Sequence, residues 1–266
     1  MTPGDVASAY DAIAADYDRQ VHGDEWMRRV LWQRYDSLFQ SGQRVLDVSC
    51  GTGLDAVFLT SRGIAVTAID VSPGMIAQLE LKVSRLELTN RIDARVLDVG
   101  QLALLPAESF DGIISAFAGL NTLADLSPFA ADASRLLRPG GKLLLHLLNR
   151  FSLWEYLRLL GRGEWRAAQG LGRHGERVFV IGRQPVRHSL WSADEAFQRF
   201  FARDFRLLDR YSLGSLRPPH TVHRLPSPLI GALGGAERLL RHRRPFVNWG
   251  RFFVLELQKS GEATRG

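Results

Sequence analysis

The chain has 266 residues, 45% of them hydrophobic, and a formal net charge of +6. This length and composition suit one large α/β domain or two small ones and exclude a disordered or peptide-sized protein. The single cysteine, Cys50, excludes an internal disulfide, a four-thiolate zinc site and three-cysteine iron–sulfur ligation. No apolar stretch approaches the roughly 20 residues of a membrane span, and the N-terminus lacks a secretory pattern. We therefore expect a soluble, cytoplasmic protein.

The basic charge is concentrated in the C-terminal part of the chain. Ten arginines and three acids lie between Arg203 and Arg251, whereas the rest of the sequence is balanced. Arginines such as Arg241, Arg243 and Arg244 are typical of an anionic-substrate clamp, an RNA-binding patch, a membrane-surface face or a merely solvated surface. The sequence leaves these four interpretations open.

Short runs of Val, Ile and Leu alternate with helical patterns from Gln43 onward. This alternation predicts a parallel sheet with helices on both faces. Ser72 and Pro73 predict a helix start, because the hydroxyl can cap free amides and proline fits the first turn. A further helix over 122–137 should end before Pro139 and the following glycines. The expected strands are 44–49, 65–70, 93–97, 110–116 and 141–148.

The regular alternation ends after Asn149. A helix is predicted over 151–173, and Ser192 with Glu195 forms a capping box for a helix reaching about Ala202. The remaining predicted elements are a hairpin of 177–181 with 186–191, strands 205–213 and 252–258, and a helix at 236–241.

These elements predict four regions. The predicted division is an N-terminal helical cap at 1–42, a cofactor-binding core at 43–150, an insertion that covers the substrate at 151–203, and C-terminal strands at 204–266 that contain a basic insertion at 214–250.

A tight glycine turn follows the first predicted strand. Gly51 and Gly53 let the backbone approach a ligand and expose amides at a helix N-terminus. With Asp70 they also satisfy the dinucleotide-binding pattern. Asp47, however, would repel a pyrophosphate and attract the ammonium of an amino-acid-bearing cofactor. A cationic cofactor is therefore favoured.

With these motifs the chain resembles the class I S-adenosylmethionine-dependent methyltransferases of the small-molecule type. The resemblance implies a Rossmann-like, doubly wound and mostly parallel seven-stranded sheet, with lid insertions after strands 5 and 6. It implies S-adenosyl-L-methionine as methyl donor and S-adenosyl-L-homocysteine as product. Ser49 stands where the commonest family pattern has glycine. The cofactor-binding positions that the resemblance implies are Tyr17, Asp47, Ser49, Gly51, Gly53, Asp70, Val71, Met75, Asp98, Val99 and Phe117.

Candidate acceptor and catalytic residues are less sharply defined. Tyr10, Asn149 and Trp154 are the predicted substrate-binding residues. His146, near the end of the fifth strand, is a candidate general base or a satisfied core histidine. His220-x-x-His223 lacks Cys or carboxylate partners at regular spacing, so we predict no metal site.

The sequence after the fourth strand bears on the acceptor. Ser115-Ala116-Phe117 departs from the Asn/Asp-Pro-Pro pattern of family members that methylate DNA adenine or glutamine, and Cys50 lies in the glycine loop rather than at a pyrimidine site. We predict in-line methyl transfer to an O or N of a small, lipophilic or anionic acceptor. Three rivals stay open: an RNA methyltransferase, a non-catalytic S-adenosylmethionine-binding partner subunit, and a nicotinamide oxidoreductase. Peripheral membrane contact and a monomer or homodimer are also open.

Overall fold

The computed structural model describes residues 2–173, 175–219, 222 and 225–260. Within them, seven strands form one sheet in the order β3-β2-β1-β4-β5-β9-β8. The first five are parallel, and β9 runs antiparallel to both β5 and β8. The predicted Rossmann-like fold class is confirmed. The strands are β1 Arg44–Val48, β2 Ala65–Asp70, β3 Ile92–Val96, β4 Phe110–Ser115, β5 Leu137–Leu148, β6 Glu176–Ile181, β7 Gln184–Ser189, β8 Phe205–Leu213 and β9 Phe252–Lys259.

Helices pack on both faces of this sheet. Ser72 caps α5 as predicted, because its hydroxyl oxygen accepts from the Met75 N–H at 3.0 Å. The Ser192–Glu195 capping box is also present, at the start of α9. The helices are α1 Pro3–Asp11, α2 Tyr17–Val21, α3 Glu25–Leu38, α4 Leu54–Ser61, α5 Pro73–Arg85, α6 Ser127–Leu136, α7 Leu153–Gly161, α8 Trp165–Gly170, α9 Ala193–Ala196 and α10 Ser227–Leu240.

Several predicted helix boundaries are wrong. The helix expected over 151–173 is two helices, α7 and α8, because Gly163 has a left-handed φ of +73°, which ends the first of them. The helix expected at 236–241 begins earlier, at Ser227, as α10. The helix expected over 122–137 starts only at Ser127, since 119–122 form a 3₁₀ turn.

The sheet order determines where a ligand can bind. β1 pairs with β2 on one side and with β4 on the other. The strands before and after this point are therefore added to opposite edges of the sheet, which makes the β1/β4 boundary a topological switch point. In open parallel sheets, ligands bind outside the carboxyl ends of the strands at this switch point. Val45, Leu46 and Val48 of β1 are fully buried, and this fixes the register of the loop that follows.

The segment predicted to be an insertion forms a separate two-stranded sheet. β6 and β7 pair antiparallel, and Gln184 donates to the Ser8 hydroxyl of α1 at 2.9 Å. A covering role for 151–203 stays a prediction. No described helix has the length and apolar character needed to cross a membrane.

Candidate functional site

A cavity of about 500 Å³ opens at the carboxyl ends of the parallel strands, beside the switch point. Many of the residues predicted from sequence line it, although they come from separate parts of the chain. They are Tyr10, Tyr17, Ser49, Gly51, Asp70, Val71, Met75, Asp98, Val99 and Phe117.

The glycine loop after β1 has left-handed backbone at three positions. Ser49, Gly51 and Gly53 have φ values of +57°, +56° and +76°. A Cβ at Gly53 would lie 2.2 Å from Cδ1 of Leu79, so this glycine allows α4 to pack against α5. Ser49 adopts the conformation that suits glycine better, which explains why glycine is common there.

Asp70 at the end of β2 organises the wall of the cavity. Its two carboxylate oxygens accept from the Gly51 N–H and the Ser72 N–H, each at 2.9 Å. Burial raises the pKa of Asp70, and the two backbone donors oppose this shift. Each oxygen keeps a second lone pair. The carboxylate can therefore accept from two vicinal hydroxyls of a sugar.

Asp47 carries an unsatisfied buried oxygen. It is 1% exposed, and its Oδ2 has no hydrogen-bond partner among the described residues. Burial, followed by the nearby Asp55 carboxylate, raises the pKa of Asp47 well above its ordinary value. Asp47 lines a small cavity that shares Tyr17, Ser49 and Phe117 with the large one. An ammonium group would supply both the missing donor and the missing positive charge.

Arg28 is a site residue that the sequence reasoning missed. This α3 side chain is 7% exposed, pairs with the Asp55 carboxylate and lies 4.2 Å above the Phe117 ring centroid. It lines the same small cavity as Asp47. The sequence signal that could have indicated Arg28 is its position on the otherwise apolar face of α3. Together, Asp47 and Arg28 can receive the two charges of an amino-acid group.

The N-terminal helices are anchored over the glycine loop. Asp11 accepts from the Ser72 hydroxyl at 2.5 Å and the Gly74 N–H at 2.7 Å. Asp18 accepts from the Thr52 hydroxyl and pairs with Lys82 at 2.6 Å. Tyr17 packs beside Gly51, and burial raises the pKa of its hydroxyl to about 12. These contacts hold the N-terminal helices against the glycine loop.

Met75, Asp98 and Val99 form the opposite part of the wall. Met75 is 1% exposed, at the first turn of α5. Asp98 Oδ1 accepts from its own turn, at the Gly100 N–H, at 2.8 Å. The other oxygen of Asp98 remains able to accept from a ligand. An apolar platform beside an acceptor suits a flat heterocycle with an amino group.

The predicted catalytic residue and two of the predicted substrate-binding residues do not line this cavity as far as the structure describes it. His146 is fully buried behind Phe117, and Trp154 donates its indole N–H to the Leu216 carbonyl at 3.2 Å. Asn149 is 5% exposed, and its side-chain amide has no partner in the described part of the chain. The geometry therefore gives these residues no direct route to a ligand in this cavity.

Much of the remaining lining of the cavity was not predicted from the sequence. Its wall continues through the 3₁₀ turn after β4, the start of α1 and the β6–β7 hairpin. No periodic pattern or motif marks these positions, because they come together only in the tertiary structure. They include Val6, Thr122, Leu123, Glu176, Arg187 and Ser189.

Metal binding has no structural support within the described residues, since they contain no cluster of three or more His, Cys, Asp or Glu side chains suited to a metal ion. His220 and His223 lie outside the described residues.

His146 is placed to hold a backbone loop. Its Nδ1 accepts from the Phe117 N–H at 3.2 Å, and its carbonyl accepts from the Ala118 N–H at 3.0 Å. Phe117 and Ala118 both have left-handed backbone, with φ of +54° and +68°. Burial, helped by Arg28 and Arg251, lowers the pKa of His146 to about 3. A neutral, enclosed imidazole favours a positioning role over the predicted base role.

We expect His146→Asn to leave turnover within about threefold, because the asparagine oxygen can replace Nδ1 as acceptor. The free energy of unfolding should fall by about 1–3 kcal/mol owing to the smaller side chain. The stability of the wild type should also fall as the pH drops from about 6.5 toward 3, because in this range only the unfolded chain readily protonates His146. The variant lacks this histidine, so its free energy of unfolding should depend less on pH in the same range. Turnover rates and denaturation curves, each measured between pH 4 and 8, test the expected turnover and the expected stability. Loss of turnover at unchanged cofactor affinity would restore the base hypothesis.

Gly119 provides a steric test of the glycine loop. A Cβ at position 119 would lie 2.3 Å from Cβ of Ser49. We expect Gly119→Ala to weaken cofactor binding, with a cost of about 1–3 kcal/mol from overpacking. Adding Ser49→Gly removes the clashing atoms and should restore affinity. Gly161→Ala, where no atom lies within 4 Å, is the matched control. Calorimetric titration with S-adenosylhomocysteine compares the affinities of the wild type, the two single variants and the double variant. If the double variant binds as weakly as Gly119→Ala, the proposed clash between positions 119 and 49 is contradicted.

Comparisons with known proteins identify similar sequences and folds. Residues 45–141 match the family described as methyltransferase domain. Ubiquinone biosynthesis O-methyltransferase of Xanthomonas oryzae pv. oryzae is 40% identical over 161 residues, which cover 59% of this chain and 64% of that protein. Demethylmenaquinone methyltransferase of Tropheryma whipplei is 31% identical over 144 residues, covering 53% and 58%. The chain therefore spans just under two thirds of the length of these curated relatives.

Solved structures show the same fold. A SAM-dependent methyltransferase from Methanosarcina mazei superposes with a TM-score of 0.59 at 19% identity, covering 85% of this chain and 97% of that one. At this identity the likeness concerns the fold alone.

Proposed function

We propose that this chain, a class I S-adenosylmethionine-dependent methyltransferase by its 45–141 domain and its fold, transfers a methyl group to an oxygen of a small, apolar acceptor. The observation that carries the proposal is the continuity of one 500 Å³ cavity from the glycine loop and Asp70 to the hairpin residues Arg187 and Ser189. This volume falls in the range of small-molecule sites. A cytoplasmic location remains a prediction from the sequence.

The described residues fit the cofactor at three points. The unsatisfied oxygen of Asp47 suits the ammonium of its amino-acid end, and Asp70 suits the ribose hydroxyls. Met75 and Asp98 suit the adenine ring and its amino group. When bound, S-adenosylmethionine supplies a sulfonium methyl group for in-line displacement by a nucleophile.

The residues of this chain act by binding, orienting and excluding water. Such a displacement depends mainly on close approach and alignment, so a dedicated base is not required. The anchored N-terminal helices and Phe117 close the cofactor side of the cavity. The buried Nδ1 of His146 is engaged by the Phe117 N–H, so the acceptor proton is expected to leave through solvent.

The acceptor class rests on two observations. The wall near Leu123 and Val6 is apolar, while Thr122 and Ser189 offer hydroxyls that can orient a polar ring substituent. The 40% identical relative is an O-methyltransferase of ubiquinone biosynthesis. A hydroxylated aromatic compound meets both conditions.

The proposal is tested with methyl-labelled S-adenosylmethionine and a panel of acceptors. The panel contains catechols and hydroquinones with and without alkyl tails, simple amines, and total RNA. We expect label on phenolic oxygen, strongest for tailed catechols. Label on RNA would support the RNA methyltransferase, whereas cofactor binding with no labelled acceptor would support a non-catalytic subunit. Binding of NADH in place of S-adenosylhomocysteine would overturn the cofactor assignment.

A further inference from the structure

A second groove of about 660 Å³ lies between α3 and α10. Its lining shares no residue with that of the cofactor cavity in the described part of the chain. The groove has an apolar side and a basic side. Trp26, Val30 and Ile230 form the first, and Arg217, Arg238 and Arg241 lie on the second.

The basic side carries three arginines that form no salt bridge within the described part of the chain. Arg217, Arg238 and Arg241 form no ion pair with a carboxylate among the described residues. Arg217 instead lies 4.5 Å over the Trp26 ring centroid and beside Gly234 of α10. Arg241 lies 4.7 Å over the Tyr211 ring centroid and donates from Nε to His242 at 3.2 Å, which leaves its terminal nitrogens available. All three side chains line an opening that can receive an anion.

The two acids of the groove form no salt bridge with these arginines among the described residues. Glu237 is 3% exposed, and its carboxylate accepts from the backbone N–H groups of Gly214, Leu216 and Arg217 at 2.8–3.0 Å. Glu25 pairs with Arg29 at 2.7 Å. Both carboxylates are thus already engaged. Burial lowers the pKa of Arg217 and the Glu237 charge only partly opposes this shift, so an anionic ligand would add favourable negative charge.

The outer face of α10 is apolar and exposed. Leu229 is 44% and Leu239 78% exposed, and Ala232 on the same helix is also exposed. The buried residue that α10 contributes is the charged Glu237 rather than a leucine. An apolar helix face beside arginines is the pattern of helices that lie in a membrane interface.

We propose that the α3–α10 groove binds the phosphate headgroup of an anionic lipid, which docks the chain on a membrane surface through α10. Guanidinium groups bind phosphate oxygens in paired hydrogen bonds. The exposed leucines of α10 then enter the interface next to the bound headgroup. This site is independent of the methyl-transfer proposal, since it needs neither the cofactor nor the acceptor.

The experiment measures co-sedimentation of the full chain with phosphatidylglycerol or phosphatidylcholine vesicles. One variant combines Arg217→Gln, Arg238→Gln and Arg241→Gln. Its control combines Arg19→Gln, Arg95→Gln and Arg203→Gln, which removes equal charge from exposed positions elsewhere. Leu239→Asn is paired with Leu104→Asn, since Leu104 is 73% exposed outside α10. Unchanged S-adenosylhomocysteine affinity shows that each variant is folded.

We expect binding to phosphatidylglycerol vesicles only, since each arginine near an anionic surface contributes about fivefold. The groove variant should bind at least about tenfold more weakly, while its control should lose far less, and Leu239→Asn should lose more than Leu104→Asn. Equal losses in variant and control overturn the proposal. So does calorimetric binding of inorganic phosphate to the groove without any vesicle binding, which would indicate a soluble anion as the ligand.

Discussion

Asp47→Asn should lower the affinity for S-adenosylmethionine by about 100-fold or more and stabilise the cofactor-free protein. Removing one partner of a buried ion pair costs about 3–5 kcal/mol. The carboxylate of Asp47 is 1% exposed and has an oxygen without a donor among the described residues, so the cofactor ammonium is its natural partner. Asparagine keeps the size of the side chain, removes the charge and replaces one acceptor oxygen with an NH2 donor.

The stability gain follows from the direction of the pKa shift. The pKa of Asp47 is raised in the folded protein, so the folded state holds this proton more tightly than the unfolded chain does. Ionisation therefore costs stability as the pH rises above the ordinary aspartate pKa of about 3.9. The amide of the Asp47→Asn variant cannot ionise, so this variant should have a higher Tm at pH 7. Thermal denaturation without ligand measures this difference.

The same shift makes cofactor binding pH-dependent. The ammonium requires the carboxylate form of Asp47, so binding should release protons and affinity should rise with pH. Calorimetric titrations in two buffers of different ionisation enthalpy measure the released protons, and Asp47→Asn should abolish this release. 5′-Methylthioadenosine, which lacks the amino-acid group, is the matched ligand, and its affinity should be unchanged in the variant. An equal loss of affinity for both ligands would contradict an ammonium site at Asp47.

The sequence predicted the residues around the glycine loop of the cavity better than the rest of its lining. Asp47, Gly51, Gly53 and Asp70 come from two strand ends and one tight turn, so local pattern and parallel topology suffice to bring them together. Strands 205–213 and 252–258 were likewise predicted from local apolar runs. The fold class and most strand bounds follow from the same kind of signal.

Other features depend on tertiary contacts that no local pattern shows. Arg28 becomes a site residue only because α3 packs against α4 and brings it to Asp55. The position of His146 on β5 left open a base or a core histidine, and the tertiary contact of its ring with Phe117 favours the second. The length of α10 was underestimated because three glycines, Gly231, Gly234 and Gly235, precede the predicted start and imitate a helix end. Glycine costs a helix only about 1 kcal/mol, which packing of the flanking turns can offset.

Asp70→Ala should weaken binding of every adenosine-bearing ligand by about 5- to 150-fold, which corresponds to about 1–3 kcal/mol for lost charge-assisted hydrogen bonds. The loss has two sources. The ribose hydroxyls lose their acceptor, and the Gly51 and Ser72 N–H groups lose theirs, so the glycine loop and the start of α5 are no longer tied together. The free energy of unfolding should therefore fall by a similar amount, about 1–3 kcal/mol.

The ligand set separates Asp70 from Asp47. S-Adenosylmethionine, S-adenosylhomocysteine and 5′-methylthioadenosine share the ribose, so Asp70→Ala should weaken all three equally, whereas Asp47→Asn should spare the last. Asp93→Ala, which removes an exposed carboxylate from the neighbouring strand β3, is the control and should leave all three affinities unchanged. If Asp70→Ala spared 5′-methylthioadenosine, the ribose would lie elsewhere and the orientation of the cofactor in the cavity would be reversed. Because we propose that each acid contacts a different end of the same ligand, the pattern of losses across the three compounds measures the orientation of the cofactor as well as its affinity.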